Sequence, residues 1–247
     1  MQKIFYITHA KGGSGASLFA TNFAYALAKT TGNATNKKVL FIDTNQFSDI
    51  AKLFGIKAKK GILNFNLFFQ EQDTNLNNKK IKKIFNQTTY QVNELDVLLS
   101  PEKYHDLDEL NNTYRKAINS ALLIYDYIVI DGERDNKNLL QNILPNLQNL
   151  FVVTTTDTPS ITKTKNFLNT LEENKTLFGK ISIIYNQSEK FSNKDLENIL
   201  TFPISCTLPI EVNGVWDNIL LGVPIIENKK LPYSRNITQL VNTIEKS

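Results

Sequence analysis

The sequence is most informative first in what it lacks. It has one cysteine, Cys206, which excludes a disulfide framework and any cysteine-based zinc site. Its two histidines, His9 and His105, lie far apart, so no pair at metal-ligand spacing exists and zinc catalysis is excluded. Arginine occurs only at Arg115, Arg134 and Arg235. No apolar run approaches the roughly 18 residues that span a bilayer. No serine sits in a G-x-S-x-G elbow, which removes a serine hydrolase of that type. Internal repeats and Gly/Pro/Ser-rich linkers are also absent. The chain starts directly on a strand-like stretch, Lys3–Thr8, with no secretion signal, and a cytoplasmic protein is the expectation.

What remains is ordinary globular composition, 41% apolar and 21% charged over 247 residues. Residues 1–247 read as a single domain. The net charge of +4 is compatible with polyanions but too small to argue for one.

Short apolar runs alternate with helical stretches. The runs Ile4–Thr8, Val39–Asp43, Leu95–Leu99, Tyr127–Ile130, Leu150–Thr154, Ile181–Tyr185 and Ile204–Thr207 predict strands. Several are apolar throughout, as strands covered on both faces must be. Residues 16–30 carry Leu18, Phe19, Phe23, Leu27 and Ala28 at helical spacing. Further helices are expected over 103–121, 136–147, 160–177, 192–200, 211–221 and 234–245. The alternation predicts an α/β three-layer sandwich, with a mostly parallel twisted sheet of about seven or eight strands and helices on both faces. Asp73–Thr89, polar and carrying Lys79, Lys80, Lys82 and Lys83, reads as an inserted, solvated, partly helical loop.

Three of the ten glycines crowd into Gly12-Gly13-Ser14-Gly15, between the first strand and the first helix. Ligands of open parallel sheets bind at the carboxyl ends of the strands. A helix N-terminus there presents unpaired N–H groups and the positive end of the helix dipole, which attract phosphate. Glycine lets the backbone wrap the phosphate without a Cβ in the way. The general P-loop pattern G-x4-G-K-[ST] is broken, because Ala10 stands for its first glycine and Ala16 for its lysine. Ser17 keeps the hydroxyl expected at Mg²⁺.

The stretch Lys11-Gly12-Gly13-Ser14-Gly15-Ala16-Ser17 resembles the deviant Walker A loop of the ParA/MinD ATPases, whose signature is the extra lysine matched by Lys11. Lys38–Asp43 resembles the family's second strand, ending in the switch I aspartate, and Tyr125–Asp131 its Walker B strand. Ile183–Gln187 resembles the strand whose terminal asparagine reads adenine. Leu208-Pro209 followed by Gly222-Val223-Pro224 resembles the late base-pocket loop and its helix. A loop of the form K-G-G-x-G-[AG]-[ST] is similar to the CpaE/TadZ-like branch, associated with Flp/Tad pilus assembly and polar positioning, although that branch's receiver-like domain is not expected here.

The resemblance implies ATP or ADP with Mg²⁺ as cofactors and a P-loop (SIMIBI/MinD-like) fold. Lys11, Gly12, Gly13, Ser14, Gly15, Ala16, Ser17 and Leu18 would form the phosphate loop. Asn186, Gln187 and Pro209 would surround the base. Ser17, Asp43 and Asp131 would serve the metal. Lys11 would act in trans across a nucleotide-sandwich homodimer, and Asn45, where the family has aspartate, would position water beside Asp43.

Losing the lysine at Ala16 removes a charge-assisted bond of roughly 1.5–3 kcal/mol, hence roughly 10- to 150-fold in affinity. Cationic stabilisation of a transferring phosphoryl is worth about 10³–10⁵ in rate. The implied function is therefore an ATP-binding dimeric switch for spatial positioning with slow hydrolysis, a weak ATPase, recruiting a protein partner such as pilus or secretion machinery. Two alternatives remain open: a partitioning ATPase that binds DNA non-specifically, and a scaffold without nucleotide.

Other residues receive plainer readings. His9 is expected to pack beside the loop and His105 to be exposed. Glu133 and Arg134, in Asp131-Gly132-Glu133-Arg134-Asp135, are expected to be solvated loop charges. Trp216 is expected in the core or at an interface, and Cys206 as a small buried hydrophobe. The last helix carries Ile237, Leu240, Val241 and Ile244 on one stripe, expected to dock on the domain rather than at a membrane.

Overall fold

The computed structural model describes residues 2–70, 77–103, 105–134, 136–172, 174–177, 179–187, 192–210 and 212–246. Eight strands form one sheet. They are β1 (Lys3–His9), β2 (Val39–Asp43), β3 (Tyr90–Val92), β4 (Leu95–Leu98), β5 (Tyr127–Asp131), β6 (Leu147–Thr154), β7 (Ile181–Asn186) and β8 (Ile204–Leu208), in the spatial order β3-β4-β2-β5-β1-β6-β7-β8. Every neighbouring pair is parallel except β3–β4. The predicted α/β sandwich is what the chain forms.

The helices are α1 (Ala16–Thr35), α2 (Ile50–Leu53), α3 (Ile62–Gln70), α4 (Asn78–Thr88), α5 (Leu107–Ala121), α6 (Lys137–Ile143), α7 (Thr158–Glu172), α8 (Asn193–Leu200), α9 (Val212–Leu221) and α10 (Pro232–Lys246). The sheet separates two cores. Side chains on β1 alternate between them: Phe5 and Ile7 face α1, α2 and α10, while Ile4 and Tyr6 face α3 to α8. Phe5, Phe19, Phe23 and Phe151 form an aromatic cluster that fixes α1 on the sheet, with Phe5 and Phe23 ring centres 5.2 Å apart and edge-to-face.

The sequence expectations hold for the seven strands, with shifts at the ends. The helix expected over 103–121 begins only at Leu107, where the Asp106 carboxylate caps it by accepting from the backbone N–H of Asp108 and Glu109. That expected over 136–147 stops at Ile143; a 3₁₀ turn (Leu144–Asn146) follows, and Leu147 already belongs to β6. The stretch 160–177 divides into α7 and a 3₁₀ turn at Lys175–Leu177.

The expected insertion needs correction. Residues 73–76 lie outside the described residues, but 78–88 is α4, whose Ile81, Ile84 and Phe85 are in the core. Asn77 caps it, accepting from Lys80 N–H. The lysines alternate with apolar positions at helical spacing and face outward, so the run is one amphipathic helix. The helices α2 and α3 and the strand β3 were not anticipated. The stripe of α10 is buried against the domain, as expected. Cys206 is buried, also as expected. Trp216 is 58% exposed, so it is not in the core. Among the described residues no helix is long and apolar enough to cross a membrane.

Candidate functional site

The loop between β1 and α1 lies at the carboxyl edge of the sheet, between the ends of β5 and β6. Gly13 (φ 79°) and Gly15 (φ 84°) both take the left-handed region, and Gly15 caps α1. A Cβ on Gly15 would run into the side-chain amide of Asn186. That amide donates to the Ser14 carbonyl at 2.8 Å, so the last residue of β7 braces the loop from the side. Ala16 and Ser17 open α1, Thr21 Oγ1 donates to the carbonyls of Ser17 and Leu18, and Asn22 Nδ2 donates to Leu18. Gln187 stands just beyond β7 at positive φ, and Pro209 just beyond β8.

Opposite the loop, Asp43 and Asp131 end adjacent strands in register. Asp43 is fully committed: Oδ2 accepts from Ser100 Oγ at 2.7 Å and Oδ1 from Asn45 N–H at 3.1 Å. Burial pushes its carboxyl up to about 6 against these bonds. Asp131 is pushed up to about 7, by burial and then by the charge of Asp43, while hydrogen bonds from Ser17 and Asn45 pull the other way. The segment after β2 is sewn to the Asp131 backbone, whose carbonyl accepts from Thr44 N–H (3.1 Å), Thr44 Oγ1 (2.8 Å) and Asn45 Nδ2 (3.2 Å).

Two buried side-chain oxygens here have no hydrogen-bond partner among the described residues, Ser14 Oγ in the loop and Asp131 Oδ2 at the end of β5. Orphaned buried oxygens carry a desolvation cost. An anionic carboxylate oxygen next to a serine hydroxyl is a hard oxygen donor set, which fits Mg²⁺. The Ser14 hydroxyl and the backbone N–H groups of a glycine loop at a helix N-terminus are a donor set that fits phosphate.

Lys11 is engaged within its own chain. Its Nζ lies 2.8 Å from Asp157 Oδ1, between β6 and α7. Asp157 also accepts from Thr155 Oγ1 and Ser160 N–H, and the Lys11 ammonium leads the set of bonds that holds its carboxyl well below the usual carboxylate range. Residues 44–49 are tied across to the next loop by a reciprocal pair: Gln46 Nε2 donates to the His105 carbonyl and His105 N–H donates to Gln46 Oε1, both at 3.1 Å. His105 is thus half-buried rather than exposed.

After Asp131, Gly132 packs against the Tyr6 ring with no room for a Cβ, and Tyr6 Oη donates to the Glu133 carbonyl at 2.9 Å. Arg134 Nη1 reaches the Ala10 carbonyl at 3.4 Å, so this charge borders the loop although it remains exposed. His9 is half-buried, and burial followed by the Arg134 charge lowers its pKa. Asp135 lies outside the described residues.

The structure therefore brings together Lys11, the loop Gly12–Leu18, Asp43, Asn45, Asp131 and Asn186. Sequence reasoning missed Asp157, Ser100, Gln46 and Tyr6. Only Asp157 left a signal, an acidic residue directly past the carboxyl end of a central strand and before a helix.

A family model described as AAA domain matches residues 2–202. The septum site-determining protein MinD of Thermotoga maritima is 22% identical over 255 residues, covering 99% of this chain and 88% of that protein. The solved ParA family ATPase from Chlorobium tepidum superposes with a TM-score of 0.81 at 22% identity, over 98% of both chains. MinD from Pyrococcus horikoshii, solved with Mg-ADP, superposes with a TM-score of 0.74 at 17% identity, over 100% of this chain and 97% of that one. At these identities the superpositions establish the fold.

Proposed function

We propose the following function for this chain, which belongs to the AAA domain family and is ParA/MinD-like: it is an ATP-binding switch that dimerises around nucleotide and hydrolyses it slowly. The observation that carries the reading is the pair of orphaned buried oxygens, Ser14 Oγ within the glycine loop at the N-terminus of α1 and Asp131 Oδ2 at the carboxyl end of β5.

The amides of Gly12–Ser17 and the Ser14 hydroxyl hold phosphate oxygens. Ser17 and Asp131 hold Mg²⁺, with Asp43 supporting them through Asn45 and the shared strand register. Bound there, the ion supplies positive charge against the phosphates. Asn186 braces the loop and, with Gln187 and Pro209, borders the base. Lys11 exchanges Asp157 for a phosphate of the second subunit, its pairing with a half-exposed carboxylate being worth only about 0–1 kcal/mol.

Two features support slow turnover. Ala16 offers no cation, and Asn45 brings no negative charge, its amide being occupied by the Asp131 carbonyl. The deviant Walker A loop and its Ala16 support the CpaE/TadZ-like branch, hence a role in polar positioning or pilus assembly through a protein partner. A second reading, non-specific DNA binding, draws support from the outward lysines of α4 (Lys79, Lys80, Lys82, Lys83), and predicts an ATP-requiring shift that weakens steeply with salt.

Size-exclusion with light scattering, run without nucleotide, with ADP and with ATP and Mg²⁺, tests the proposal. A dimer specific to ATP is expected. A monomer under all three conditions, with no calorimetric heat at millimolar ATP, overturns it. Turnover near one per second would remove the slow-hydrolysis part alone.

A further inference from the structure

Away from the glycine loop, a groove of about 830 Å³ lies between α6 and α7 and runs to the 3₁₀ turn Lys175–Leu177. Its floor is apolar, built from Leu140, Phe167, Leu171 and Leu177. Its rim is cationic: Arg134, Lys137, Lys163 and Lys175 are all exposed, and the described lining residues include no carboxylate. The ion pairs among the described residues include none of the three lysines. We propose that this groove docks an acidic amphipathic helix of a partner protein.

Size and chemistry select this occupant. A helix about 10 Å across rises 1.5 Å per residue, so two turns fill roughly 800 Å³. An apolar stripe on such a helix covers Phe167 and the leucines, while flanking Glu or Asp side chains meet the rim; this is helix-in-groove recognition with complementary charge. A nucleic-acid backbone would leave the leucine floor uncovered. Arg134, one of the lining residues, also reaches the carbonyl of Ala10 at the start of the glycine loop. A docked helix therefore contacts the segment that follows Asp131.

Selection of a displayed library of helical 16-residue peptides against the full chain, without nucleotide, tests the proposal independently of ATP binding. Enriched peptides are expected to carry apolar residues at i, i+3/i+4 and i+7 flanked by Glu or Asp. Their affinity should fall at least tenfold in Lys137→Glu/Lys163→Glu and in Phe167→Ser, and be unchanged in Lys229→Glu, outside the groove. It should also weaken with salt. Four results would overturn the idea: no enrichment, enrichment of basic or uncharged peptides, selected peptides indifferent to the lysine reversals, or a loss on those reversals of binding to single-stranded DNA or phosphatidylglycerol vesicles with no peptide enriched.

Discussion

The ammonium of Lys11 rests 2.8 Å from the carboxylate of Asp157, although 146 residues separate them in the chain. The pair ties the first residue of the glycine loop to the start of α7. Both side chains are over a third exposed, at 37% and 42%, so solvent screens the pairing. A phosphate brought to this point would compete with it easily. In Asp157→Asn the ammonium loses its intramolecular partner. The ATP concentration giving half-maximal dimer in light scattering should then fall several-fold, while Lys11→Ala should yield no dimer yet still bind ATP by calorimetry. Unchanged dimerisation in both variants would refute the role of this lysine.

The same pair has a defined pH range. Asp157 is held below its unfolded value of about 3.9, so its stabilising contribution is present above that value and is lost as pH falls through the lower folded one. The effect of Asp157→Asn on dimerisation should therefore be constant between about pH 5 and pH 8. Dimer titrations at three pH values check this.

Gly15→Ala meets two obstacles, a φ of 84° and the Asn186 amide. We expect a loss of roughly 1–3 kcal/mol in stability and at least tenfold in ATP affinity, because the Asn186–Ser14 brace must give way. Calorimetry together with thermal unfolding reads both quantities, and wild-type affinity would contradict the described loop geometry.

Asp131→Asn separates stability from metal binding. Burial makes the Asp131 carboxylate costly at neutral pH, having raised its pKa to about 7, so the neutral amide should increase the melting temperature in EDTA. The further increase expected for the wild-type protein with Mg²⁺ and ATP should be lost. A variant still stabilised by Mg²⁺ would move the metal elsewhere.

Burial pushes the Cys206 thiol up to about 12, so at pH 8 it is not a thiolate. A disulfide reagent such as DTNB should label native protein slowly and unfolded protein within seconds. Rapid native labelling would show β8 opening from α10.

The strands and the glycine loop were legible in the amino-acid sequence alone. β2, β5 and β7 were legible because strands buried on both faces leave little room for polar positions, and β2 came out as Val39–Asp43 in both readings. The loop was legible because its work is done by backbone and glycine within a few consecutive residues. Local pattern did not reach β3, three residues long and joined to β4 through Asn93 at positive φ, nor the membership of α4 in the core, where four lysines outweigh three apolar residues in any average over the segment. The pairings of Lys11 with Asp157, Asn186 with Ser14 and Gln46 with His105 emerge only in the folded chain. These depend on which strand ends lie side by side, and strand order is set by crossovers and packing rather than by the spacing of residues along the chain.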